Sequence, residues 1–224
     1  MLHDFHTHTF NSDGILSPVE LIRYAVINGY ATIGITDHVA IGSLERIIKE
    51  VTLDCELARK HWDIIAMPGV ELTHIPPETI NDMARRAKEL GAWIVVVHGE
   101  TSTEPVPEGT NLAAIQSPYV DILAHPGYLT LEEAKLAAQN GHYIELSARK
   151  GHSATNRHVA QVCLATGAKL LVNSDTHSDL DLLTAATVET ILTDAGVPND
   201  QFNRILSENA LELKDRILRA HKLL

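Results

Sequence analysis

Short apolar runs rich in Ile and Val recur along the chain, each separated from the next by a segment with helical signals. The runs are Leu2–Phe5, Ala31–Thr36, Ile64–Val70, Ala92–Val97, Val120–Ala124, Tyr143–Leu146 and Leu170–Val172. They are near-continuous, as strands buried on both faces should be. Ser17-Pro18-Val19-Glu20 is a capping box with Pro at the first helical position, and Gly29 ends that helix. Ser43 is the expected cap of a helix running to about His61, and Pro77 opens another that stops at Gly91. Thr130-Leu131-Glu132-Glu133 is a second capping box, closed near Gly141, and a helix over Asn156–Thr166 ends at Gly167. The tail from about Asp200 to Leu224 reads as one or two further helices.

Strand–helix alternation of this kind means parallel strands with crossover helices. An eight-unit barrel spends ~31 residues per unit. At that rate 224 residues hold about seven units, which matches the seven runs. The expected fold is therefore an α/β, TIM-like (β/α)7 barrel, with residues 1–224 forming one domain. An open doubly wound sheet competes, but no Gly-rich fingerprint follows the first strand.

Composition narrows the class. Apolar residues make up 45% of the chain and aromatic residues only 4%, so the core must be aliphatic. No run approaches the ~20 apolar residues of a membrane span. The start, Met1-Leu2-His3-Asp4-Phe5-His6, lacks the basic and apolar regions of a signal peptide. Cys55 and Cys163 read as buried, reduced thiols, and the expected location is the cytoplasm. A net charge of −11 without a basic stripe argues against extended nucleic acid and says nothing against a small phosphate ester.

The chain holds 13 His, and six of them fall at one kind of place. The first strand ends in His6-Thr7-His8, followed by Asn11-Ser12-Asp13-Gly14. The second ends in Asp37-His38, the third in Gly69-Val70-Glu71, the fourth in His98, the fifth in His125 and the seventh in Asp175-Thr176-His177. Six of the seven strands thus finish on metal-binding residue types, at the barrel end where catalytic groups sit. Residues i and i+2 of a strand point the same way, so His6 and His8 can aim two imidazoles at one ion, as Asp175 and His177 can from across the seam. His, Asp and Glu without Cys suit Zn, Mn or Fe. His3, His61, His74, His142, His158 and His221 fall elsewhere and read as structural or surface histidines.

These segments resemble the motifs of the PHP (polymerase and histidinol phosphatase) family. The resemblance lies in His6-Thr7-His8 with Ser12-Asp13-Gly14, Ile35-Thr36-Asp37-His38, Pro68-Gly69-Val70-Glu71, Ile122-Leu123-Ala124-His125-Pro126-Gly127 and Asn173-Ser174-Asp175-Thr176-His177-Ser178. It implies a distorted (β/α)7 barrel and two to three divalent ions. It implies a first position at His6, His8, Glu71 and Asp175, and a second at His98 and His125 with Glu71 as bridge. The third would lie at Asp13, His38 and His177. Some relatives have His where this chain has Asp13, a variant that favours harder ions. Glu71, Asp175 and His177 are the expected catalytic residues. The implied reaction is hydrolysis of a phosphate ester by metal-bound hydroxide, and a small phosphomonoester, histidinol phosphate-like or nucleotide-like, is the expected partner.

The loop after the sixth strand, Ser147-Ala148-Arg149-Lys150-Gly151-His152, should face the same end. Arg149 is the best candidate for a phosphate clamp, the alternative being a solvated loop cation. Lys150 and His152 are further substrate-binding candidates, and Glu145 is expected to point inward against a ligand. The polar stretch Gly99–Thr110 is either a wall of the site or a passive loop. Two rival readings stand beside this one. An amidohydrolase-type hydrolase would carry Lys where the fourth strand here ends in His98. A catalytically silent PHP module would be expected to have lost ligands.

Overall fold

The computed structural model describes residues 1–224. Its strands are β1 (Leu2–Asp4), β2 (Tyr30–Ile35), β3 (His38–Val39), β4 (Ile65–Leu72), β5 (Ile94–His98), β6 (Ile122–Ala124), β7 (Tyr143–Ser147) and β8 (Lys169–Asn173). The helices are α1 (Pro18–Ile27), α2 (Leu44–His61), α3 (Ile80–Glu89), α4 (Thr110–Gln116), α5 (Leu131–Asn140), α6 (Asn156–Thr166), α7 (Ala185–Asp194) and α8 (Ala210–Ala220). All pairings are parallel and the sheet runs β1-β2-β4-β5-β6-β7-β8, with β3 beside β4.

The sheet curls into a nearly closed barrel of seven parallel strands. Its seam is sewn just beyond the ends of β1 and β8. His8 donates its N–H to the Thr176 carbonyl at 2.9 Å, and Asp175 donates to the His6 carbonyl at 3.0 Å. The seam bonds therefore lie among the candidate ligands themselves.

Period-two alternation divides every long strand between two cores. Met67, Ile94, Val96, Ile122, Ala124, Tyr143 and Leu171 point into the barrel and form one apolar cluster with Phe5. Val70, Leu72, Val95, Val97, Leu123, Ile144 and Leu146 point outward and pack in the larger cluster shared with the surrounding helices. The inward row thus continues from Met67 to Glu71, from Val96 to His98, and from Tyr143 to Glu145. Leu213, Ile217 and Leu218 of α8 join the inner cluster, so the C-terminal helix plugs the barrel opposite these polar ends.

The caps at Ser17 and Thr130 form as the sequence predicts, with reciprocal bonds to Glu20 and Glu133. Ser43 does not cap α2: it sits in helical backbone and its hydroxyl bonds the Ala40 carbonyl instead. Pro77 opens a 3-10 turn, and α3 proper begins at Ile80. The sequence reading missed β3, α4 and α7. The tail holds a π-helical turn at Arg204–Asn209 running into α8. Cys55 and Cys163 are both buried and free, and no helix is long and apolar enough to cross a membrane.

Candidate metal centre

Glu71 lies at the middle of the site. It ends the inward row of β4, and the two residues of β3 bring His38 into register with it. One carboxylate oxygen, Oε1, stands 3.4 Å from His6 Nε2, 3.2 Å from His98 Nδ1 and 3.5 Å from His125 Nε2. The other, Oε2, stands 3.6 Å from His8 Nε2 and 2.6 Å from His38 Nδ1. Asp175 Oδ1 completes the near side, 3.2 Å from His8 Nε2 and 4.0 Å from His6 Nε2. Asp175 and His125 both adopt positive φ, at 53° and 25°. Backbone held there by its surroundings marks functional positions more often than ordinary ones.

A second gathering lies beside the first. Asp13 Oδ2 is 3.0 Å from His177 Nε2 and 3.6 Å from His38 Nε2, and Asp13 Oδ1 is 3.8 Å from His8 Nδ1. Asp37, which is not itself among these groups, fixes the loop that presents Asp13. Its carboxylate accepts from the Thr9 N–H, the Thr9 hydroxyl and the Ser12 hydroxyl, each at 2.7 Å. All nine residues singled out from the sequence therefore fall in one contiguous cluster. His8 faces both gatherings, one ring nitrogen to each, which strand spacing did not foretell.

The cluster suits cations. His6, His8, Glu71, His98, His125 and Asp175 are all buried. Burial pushes the His8 imidazole down to about 4 and keeps it neutral, as a ligand must be. Burial would raise the Glu71 carboxyl, but His6, His38 and His98 outweigh it and hold the group well below the carboxylate range. The same contest, with His6 and His8 as partners, holds Asp175 down. Burial disfavours charge on His38, yet Glu71 and Asp13 raise it to about 10. His8 Nδ1, Glu71 Oε2, His98 Nε2 and His125 Nδ1 are buried without a hydrogen-bond partner. Orphaned donors and acceptors of this kind call for an ion or water, and the His/Asp/Glu set fits a borderline divalent ion.

Surrounding groups orient the ligands. Glu145 points inward as expected, its Oε2 accepting from His6 Nδ1 at 2.8 Å and from Asn173 Nδ2 at 2.9 Å. Arg149 lies at the edge, its guanidinium against His177 Nδ1 and 3.4 Å from the Asp175 carbonyl. Arg149, Lys150 and Asp175 share an open cavity of about 700 Å³. His152 is buried, stacked on His125 with centroids 4.1 Å apart, and its Nδ1 is held by the Thr101 hydroxyl at 2.7 Å.

The stretch after β5 proves to be a wall of the site. Thr101 touches His152, and Glu104 reaches His74, His98 and His152. His74 therefore belongs beside the site and is not a detached surface histidine. Only one hint in the sequence could have found it: His74 follows Glu71 by three residues, in the loop leaving β4.

No family model matches the chain. An uncharacterized protein of Methanocaldococcus jannaschii is 45% identical over 218 residues, covering 97% of this chain and 100% of that one. A probable phosphatase of Acetivibrio thermocellus is 28% identical over 220 residues, 87% of each chain. Among solved structures, histidinol phosphate phosphatase of Lactococcus lactis, complexed with zinc, L-histidinol and phosphate, superposes with a TM-score of 0.64 at 14% identity. The superposition covers 88% of this chain and 94% of that one.

Proposed function

The chain belongs to the PHP family of metal-dependent phosphoesterases, and from that premise we propose that it hydrolyses a small phosphomonoester at a centre of three divalent ions held by nine side chains. The first position is His6, His8, Glu71 and Asp175. The second is Glu71, His98 and His125, and the third is Asp13, His38 and His177. Zn, Mn or Fe(II) fits this donor set. The observation that carries the reading is Glu71: one buried carboxylate oxygen is shared at 3.2–3.5 Å by imidazoles from three different strand ends. A carboxylate so placed would be shared between the groups that hold the first and second positions.

When bound, such ions supply Lewis acidity toward the phosphoryl oxygens and lower the pKa of a coordinated water. The chain supplies the rest. Glu71 and Asp175, held ionised, balance the charge of the cations. Glu145 fixes the His6 ring through Nδ1 and leaves Nε2 facing Glu71. Arg149 stands at the edge of the site, where a phosphomonoester carrying nearly two charges would arrive, and is the candidate clamp for its free oxygens. Lys150, which lines the same cavity as Arg149, and His152, stacked on His125, are further candidates for substrate contact. The strand that an amidohydrolase-type enzyme would end with Lys ends here in His98, which favours phosphoester chemistry.

The test is phosphate release from a panel of phosphorylated metabolites, including histidinol phosphate and nucleoside monophosphates, with Zn²⁺ or Mn²⁺ and with chelator. Metal-dependent release from at least one small phosphomonoester is expected. A metal-loaded protein that releases phosphate from none of them refutes the proposal and favours a silent module.

A further inference from the structure

Two polar groups outside the nine side chains, His74 and Glu104, meet one of the nine, His98, at the rim. Glu104, from the loop after β5, places Oε2 3.1 Å from His74 Nε2 and 3.2 Å from His98 Nε2. The His74 and His98 rings lie 5.0 Å apart, and the three ligand atoms all fall within 4.8 Å of one another. We propose that His74, His98 and Glu104 form a separate binding position for a divalent cation such as zinc, at the mouth of the main centre.

Three observations support it. The first is spacing. Two ligand atoms each ~2.1 Å from one ion, at tetrahedral or octahedral angles, stand ~3.0–3.4 Å apart. Both measured separations fall in that interval, as do those from Glu71 Oε1 to His98 and His6, whereas the 2.6 Å contact of Glu71 Oε2 with His38 is shorter.

The second is the orientation of His98. Its Nε2 is buried and has no hydrogen-bond partner, although Glu104 Oε2 is only 3.2 Å away. The carboxylate therefore lies off the axis of the ring nitrogen. Two ligands of one ion are offset in just this way, because the ion and not the second ligand lies on the axis. A direct N–H···O bond requires the opposite alignment, which His74 Nε2 meets with Glu104 at 3.1 Å, so the offset is a property of His98 and not of His74.

The third is the backbone. His74 has φ 52°, a left-handed conformation that a non-glycine residue adopts at a cost. From that conformation its imidazole meets Glu104.

The chemistry is that of a borderline divalent ion: two imidazoles and one carboxylate, as in mononuclear zinc sites. His74 and Glu104 are 41% and 37% exposed, so remaining coordination positions open to solvent. His98 is shared. Its Nδ1 turns to Glu71 and its Nε2 to the rim. When both sides hold an ion, the ring carries no proton, and that proton leaves to solvent. The rim position rests on the reading of the main centre only through this shared ring.

Crystals grown with Zn²⁺ and measured at the zinc absorption edge test it directly. The expected result is an anomalous peak ~2.1 Å from His74 Nε2 and His98 Nε2 and in contact with Glu104, absent from His74→Ala crystals. Zinc-loaded, desalted His74→Ala and Glu104→Gln proteins should each hold one equivalent fewer than wild type. Zinc peaks around Glu71 with none at the rim, or equal metal counts in all three proteins, overturn the rim position alone. No zinc anywhere in the wild type overturns both readings, and zinc at the rim without zinc at Glu71 supports the rim while overturning the main centre.

Discussion

Replacing Glu145 by Gln isolates what a buried carboxylate does for a ligand it touches. Glu145 is fully buried on β7, and its Oε2 accepts from His6 Nδ1 at 2.8 Å and Asn173 Nδ2 at 2.9 Å. Gln keeps a carbonyl that can accept the same two bonds but removes the charge. A charge-assisted bond is about twice as strong as a neutral one, so roughly 1–1.5 kcal/mol is lost at His6. The ring also becomes a poorer donor to the ion. Loss of such a carboxylate partner typically weakens metal binding about 10- to 100-fold, or ~1.4–2.7 kcal/mol. The Gln amide nitrogen would occupy the place of Oε1, which has no partner. That cost of ~1–3 kcal/mol falls on folding with or without metal and cancels from the affinity. Competition for Zn²⁺ against a chromogenic chelator measures the affinity, and chemical denaturation in excess chelator measures the second cost. An affinity within twofold of wild type in a folded Glu145→Gln protein would refute the claim that Glu145 acts through the His6 ring.

Glu71→Gln should abolish turnover, because its oxygens face both proposed principal positions, whereas Asp13→Asn, which touches only the third, should retain measurable activity; equal tolerance of the two would show the bridge to be misassigned. Metal that binds only the folded state stabilises it by ~4 kcal/mol at a thousandfold excess over Kd, which for a chain of this size is roughly 8–16 °C in Tm. Calorimetry before and after verified metal removal should show that drop, and an unchanged Tm would mean the barrel closes without ions. Arg149→Ala should lower kcat/KM by a factor on the order of 10² for a lost contact of ~2–3 kcal/mol, with metal content intact; a change below about twofold would leave Arg149 a solvated loop cation. His3 is lowered to about 4 by burial and by Lys214, against an ordinary imidazole value of 6.5. The unfolded chain therefore takes up the extra proton, and stability present above pH ~6.5 is lost as pH falls toward 4. After discounting for partial exposure, metal-free wild type should lose about 1 kcal/mol more than His3→Asn between pH 7 and 5, and parallel curves would rule the effect out.

The barrel strands were legible because a strand covered on both faces needs an unbroken apolar run, and a run of that kind survives any loop around it. What escaped notice had weak local signals. Two residues, His38 and Val39, cannot show a period. α4 starts from Gly109 without a side-chain cap. α7 is capped by a reciprocal pair, Thr184 and Thr187, in which Thr replaces the Glu or Gln that normally betrays a capping box. Ser43 failed for the converse reason: the right residue type found a nearer carbonyl at Ala40.

The site divides along the same line. The nine candidate ligands were visible because each strand end in a parallel barrel points to one face, so position along the chain alone implies convergence in space. Glu145 was visible by alternation with Tyr143. His74 and Glu104 were not, because they belong to the loops after β4 and β5, which meet only when the barrel is built, and His74 meets its partner from a left-handed backbone that the sequence does not signal. The strand ends place the groups that the family chemistry requires. Loops are free to bring additional groups to the mouth without disturbing the core. What distinguishes this chain from others built on the same barrel should therefore be sought at His74, Glu104, Arg149 and His152, and substitutions there should change metal count or substrate choice while leaving the inner cluster of Phe5, Met67, Val96 and Tyr143 intact.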